Sequence, residues 1–148
     1  MILGDILDNG VPAIFNRLYA EKNFGEVIMI GWAYVEYIIS RLYLENEGLD
    51  SAKESDKRKI EYIFSKKKFW KKWNVVKTLD LFDDIQIEAI ESFNTDRNNL
   101  FHNSLFSYQR YHRERQGLMD SAKKAFDIVL AVYEKKHGLD KILGFKQS

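Results

Sequence analysis

The chain of 148 residues has no cysteine. Disulfides, thiol catalysis and cysteine-ligated zinc are excluded together. One proline and eight glycines leave few positions that interrupt a helix. A charge bias is also missing: 23 basic and 22 acidic residues give a net charge of +1. Such a balance does not announce a nucleic-acid binder, so any affinity for phosphate has to come from local patches. Met1 to Tyr19 carry no basic segment with a small-residue cleavage site, and no signal peptide is expected. The longest apolar stretch, Val27 to Leu44, contains Glu36 and Arg41, which suits a buried core helix better than a membrane span. The expectation is a soluble, cytoplasmic protein. A Gly-rich phosphate loop, a dinucleotide fingerprint, an HExxH pattern and a Gly-x-Ser-x-Gly elbow are all lacking. His102, His112 and His137 are too scattered to form a metal site, and His137 suits a helix C-terminus. No metal and no cofactor are expected.

What is present is helical periodicity. With 45% apolar residues, a chain of this length buries enough surface to fold without a staple. One domain over residues 1–148 is expected. A first helix should start near Pro12, with Ile14, Phe15, Leu18 and Tyr19 in helical repeat. A second, from about Gly25 to Glu47, is apolar on more than one face and belongs at the centre of a bundle, with Gly48 as its stop. A loop of charged residues leads into a third helix over Arg58 to Leu79, with a break near Ser65. Leu81, Ile85, Ala89, Ile90 and Phe93 predict a fourth over Asp80 to Phe93, and Asn94 or Thr95 reads as the N-cap of a further segment. The last helix is expected from Gln116 to His137, closed by Lys135 to Gly138. No strand pattern appears. The sum is an all-α, antiparallel bundle of four to five helices.

One segment is poorly explained by helix formation: Asn94-Thr95-Asp96-Arg97-Asn98-Asn99-Leu100-Phe101-His102-Asn103. Its asparagines have only modest helical propensity. On a helix, Asn98 and His102 lie one turn apart, as do Asn99 and Asn103, so they form a polar stripe. Arg97 lies beside it and is long enough to converge on His102. An N-cap at Asn94 or Thr95 would add free backbone N–H groups and a helix dipole. An arginine, an imidazole and a helix N-terminus together suit a phosphate. The plain alternative is that Arg97 and His102 merely satisfy Asp96, Glu36 or a neighbouring carbonyl.

Arg97-Asn98-x-x-x-His102 resembles the Arg-x(4–6)-His signature of the HEPN superfamily (higher eukaryotes and prokaryotes nucleotide-binding domain). Relatives often place a polar residue directly after the arginine, as Asn98 stands here. They are small helical bundles with the motif beside a late helix and one more long helix after it. Glu36 resembles the acidic residue that many relatives carry on an early helix. The resemblance implies a metal-independent endoribonuclease acting as a homodimer, with two motif copies in one cleft. Arg97 would hold the phosphate, His102 would move the proton of the RNA 2′-OH, and Asn98 would orient either one. Glu36, Asp96, Asn99 and Asn103 would support them. The resemblance also implies defence, stress or toxin–antitoxin roles, and leaves room for a nucleotidyltransferase-type antitoxin as partner. It departs at Ser104, where toxins of that pairing often carry a tyrosine; Tyr108, one turn on, is not a match. The other reading is a non-catalytic HEPN domain that binds RNA, nucleotide or a protein.

Two basic-aromatic stretches are candidates for RNA contact. One is Tyr108 to Arg115, with Tyr108, Arg110, Tyr111, Arg113 and Arg115. The other is Lys66 to Trp73, with five lysines around aromatics. For the second, the spacing of Trp70 and Trp73 predicts core residues with the lysines on a solvated face.

Overall fold

In the computed structural model, the backbone is described over residues 10–48, 52–102 and 107–147. Side chains are described over the same stretches except 63–65, 101–102, 107–113 and 139–147. Among the described residues the protein is all-helical, with six helices and no strand. These are α1 (Val11–Ala20), α2 (Phe24–Asn46), α3 (Glu54–Ser65), α4 (Phe69–Val76), α5 (Asp84–His102) and α6 (Ser107–Gln147). The expected all-α class stands, with more helices than the four to five expected. Two compact units divide the chain: Met1–Val35 with Asp84–Ile128, and Glu36–Asp83 with Val129–Ser148. Helices α2 and α6 contribute to both.

In the first unit, α1 begins with proline in its first turn, where the missing N–H costs nothing. It ends in a Schellman turn. Lys22 sits at φ 58°, its N–H bonds the Tyr19 carbonyl, and the Asn23 N–H bonds the Leu18 carbonyl at 3.0 Å. The core is aromatic. Phe15 stacks on Phe126 at 4.0 Å, Tyr34 stacks on the same ring at 4.5 Å, and Trp32 meets Phe93 edge-on at 5.8 Å. Each such pair adds about 0.5–1.5 kcal/mol beyond the area it buries. Gly31 permits this packing: a Cβ there would lie 3.2 Å from the Phe15 ring and 3.4 Å from Ala122.

In the second unit, Ile38, Ile39, Leu42 and Tyr43 of α2 are buried, as are Trp73, Val76, Phe82 and Val129. Phe82 packs edge-on against the Trp73 ring, and Phe69 stacks on it. Helix α2 ends at Asn46, and Gly48, the expected stop, adopts φ 87° in the turn that follows. By length and composition alone α2 is able to cross a membrane, yet 61% of its most apolar window is buried inside the protein. Its burial is that of a core helix.

Several element expectations are corrected. The third helix does break near Ser65, but α3 starts at Glu54 and α4 ends at Val76. Thr78 and Leu79 close turns onto Val75 and Val76, and Asp80 takes φ 57°, so the next helix starts at Asp84. Ile85, placed in the apolar stripe by periodicity, is 71% exposed. No new segment starts at Asn94 or Thr95, because α5 runs through both. Asn94 is buried. Thr95 Oγ1 donates to the Glu91 carbonyl at 3.1 Å, the back-bond that lets threonine stay inside a helix. The last helix is longer than expected at both ends. It starts at Ser107 and passes Gly138 to reach Gln147, since one glycine costs a helix only about 1 kcal/mol.

Candidate functional site

Arg97 and its neighbours belong to the first unit. The arginine lies about three and a half turns beyond the start of α5. The expected anion site at a helix N-terminus is therefore absent from this position, since free N–H groups and the dipole act only within the first turn. The guanidinium is held in another way. It lies over the indole of Trp32 with its carbon 4.2 Å from the ring centroid, and Nη2 donates to Asn98 Oδ1 at 2.9 Å. Arg97 and Asn98 are both half-buried. Trp32 is itself buried and braced by Phe93. A cation on an aromatic face gains about 0.5–1 kcal/mol at an exposed site and about 2 kcal/mol or more when desolvated, and the half-buried Arg97 lies between these cases. This role of Trp32 was not legible in the sequence, because its spacing fits a core stripe equally well.

The other motif residues are distributed as follows. His102 is the last residue of α5, with its side chain outside the described residues. Asn103 lies outside them altogether, as does Ser104. Asn99 is exposed. Asp96 is half-buried and accepts from Ser121 Oγ of α6 at 3.3 Å. Glu36 belongs to the second unit, where it acts electrostatically on Lys72.

The stretch expected to follow the motif as an RNA contact forms the first turns of α6. The side chains of Tyr108, Arg110, Tyr111 and Arg113, and that of His112, lie outside the described residues. Arg115 is exposed, with its guanidinium carbon 5.5 Å from the Phe24 ring centroid. Near it, the Tyr19 hydroxyl and Gln116 Nε2 both donate to Asp120 Oδ1. The Tyr19 hydrogen bond holds the Asp120 carboxyl below its ordinary pKa and raises that of the phenol.

In the second unit the Lys66 to Trp73 stretch is arranged differently from its expected pattern. Trp73 is fully buried as expected, but Trp70 is 46% exposed and Lys72 is buried. The reason is the helical register of α4: residues 69, 72, 73 and 76 share a face, and that face is turned inward. Lys72 Nζ donates to Ser40 Oγ at 2.7 Å. Burial lowers its pKa, opposed by Glu36.

His137 is not at a helix C-terminus, because α6 continues past it. Its Nε2 lies 2.6 Å from Glu45 Oε1, and its ring packs on Tyr133 at 4.4 Å. The Glu45 side chain is 3% exposed and also meets Lys136 at 3.0 Å and Arg41 at 3.9 Å. Burial alone would pull Arg41 down, but Tyr133, Glu45 and Tyr37 outweigh it and hold its pKa above the ordinary value. This cluster was not found from the sequence, where the i and i+4 spacing of Arg41 and Glu45 is the signal that points to it. Among the described residues no group of three His, Cys, Asp or Glu is placed to hold a metal ion.

The chain matches no family model, no curated protein and no solved structure.

Proposed function

We propose that the protein is a metal-independent endoribonuclease of the HEPN type, active as a homodimer, with Arg97 and His102 at its centre. The observation that carries this reading is the fixed guanidinium. Arg97 is half-buried, supported by Trp32 and bonded to Asn98, on the helix that ends in His102. A pre-positioned cation stabilises charge that develops on a phosphate in the transition state. Arginine also offers a planar fork of donors matched to phosphate oxygens. In this reading His102 removes the proton from the RNA 2′-OH, for which an ordinary histidine pKa of about 6.5 is well suited. The 2′ oxygen bonds to phosphorus, the bond to the 5′ oxygen breaks, and that oxygen takes a proton. The products are a 2′,3′-cyclic phosphate and a 5′-OH. Asn98 orients the guanidinium, and Asp96, Asn99 and Asn103 support the stripe. A cytoplasmic stress, defence or toxin role, with a nucleotidyltransferase-type antitoxin as a candidate partner, belongs to the same proposal.

A second reading has its own observation. The guanidinium already engages an indole and an amide, as it would in a non-catalytic HEPN domain that binds RNA, nucleotide or a protein partner. One experiment separates the two. RNA is incubated with wild type and with His102→Ala in EDTA, and the product ends are mapped. The enzyme reading expects wild type alone to cut and to leave cyclic phosphates. Equal cutting by both proteins removes His102 from the mechanism, and no cutting by either favours the binding domain.

A further inference from the structure

Between Glu61 and Asp80 the chain holds six lysines and no acidic residue. In the second unit this segment forms the end of α3, the turn at 66–68, and α4. Two large aromatic side chains are exposed here: Tyr62, at 63%, and Trp70, at 46%. They flank the turn Lys66-Lys67-Lys68. Lys66 Nζ lies over the Tyr62 ring at 4.5 Å. Lys67 Nζ donates to Tyr43 Oη at 3.0 Å and so ties the turn to α2. Phe69 stands between Trp70 and the core, with its ring 6.2 Å from Trp70 and stacked on Trp73. Lys68 and Lys71 are exposed, whereas Lys72 is turned inward.

From this placement we infer that the α3–α4 turn is a binding surface for single-stranded nucleic acid, on which bases stack against Trp70 and Tyr62 while Lys66, Lys68 and Lys71 neutralise phosphates. Charge complementarity is the first reason. Six lysines stand between Glu61 and Asp80 with no acid among them, in a chain whose net charge is only +1, and this local excess of cations matches a polyanion. The second is that exposed rings set between lysines are the platform that accepts any base face. A duplex hides its base faces, so a single strand is the better fit. An anionic membrane fits less well, because α4 turns Trp73 and Val76 into the core and leaves Trp70 as its one strongly exposed ring. The surface is independent of Arg97 and His102 and does not rest on cleavage.

The test uses the full chain and an oligodeoxythymidine of about 15 nucleotides, long enough to span one site. This probe has no 2′-OH, so binding is read apart from any ribonuclease activity. Of the three tryptophans, Trp32 and Trp73 are buried, so quenching on binding reports Trp70. We expect salt-dependent binding with quenching. Trp70→Ala should weaken it about ten-fold. Trp70→Phe should keep most of the affinity and lose the quench. Lys66→Gln, Lys68→Gln and Lys71→Gln together should reduce the slope of log affinity against log salt by about 2. Affinity unchanged in these variants, absence of binding, equal preference for a duplex, or tighter association with phosphatidylserine vesicles than with the oligonucleotide would each overturn the inference.

Discussion

Lys72 shows how far a single residue departs from its sequence pattern. In a run of lysines it reads as part of a solvated face, yet it is buried, with its amine on Ser40 Oγ. The register of a short helix decides this, and periodicity over eight residues does not fix register when basic and aromatic residues alternate. Trp70 is the converse case, exposed where the spacing with Trp73 suggests core. A buried lysine whose pKa is lowered by desolvation costs stability while it is charged. The unfolded chain keeps its proton up to about 10.5, while the folded chain releases it earlier. Between those two values the unfolded state binds more protons, so wild-type stability should rise with pH there. We expect Lys72→Met to match or exceed wild type at pH 7 by up to about 1 kcal/mol. The difference should shrink as pH rises through the lowered pKa. Urea titrations of both proteins at neutral pH and near pH 10 give the answer. A lysine that stabilises equally at both pH values would refute it.

At the scale of elements, α2 was the most legible. Its apolar stripes are buried and Gly48 stops it in the left-handed conformation. Helix α5 was the least legible at the point that matters most. Asn94 and Thr95 are good N-cap types, but a buried Asn94 and the Thr95 back-bond to Glu91 keep the helix continuous. The consequence is chemical: the motif gains no helix dipole, and Arg97 depends on Trp32 and Asn98 for its placement. The turn after α1 was equally hidden, because Lys22 occupies a left-handed position that glycine prefers. Lys22→Gly should therefore raise stability by about 1 kcal/mol, a rise in Tm of roughly 2–4 °C for a chain of this size. Calorimetry on the two proteins checks this, and an unchanged or lower Tm would mean that the Lys22 side chain contributes more than its backbone strain costs.

For the whole molecule, composition made the helical class readable, while the division into two units was not. Both units draw on separate stretches of chain, and a sequence without linkers or composition shifts gives no sign of such a boundary. The motif was readable as residues but not as a setting, since a ring 65 positions away in sequence supports Arg97 (Trp32). The proposed ribonuclease function requires that Arg97 act on phosphate rather than only on Trp32 and Asn98. Its most direct test is Arg97→Lys, with single-turnover RNA cleavage in EDTA and a melting curve measured on the same samples. Lysine keeps the charge but not the fork of donors or the stacked plane. We predict that cleavage falls by about a hundred-fold or more, with Tm shifted by only a few degrees. Cleavage at the wild-type rate would contradict the claim, as would a wild type that cuts no RNA while Arg97→Lys simply lowers the Tm.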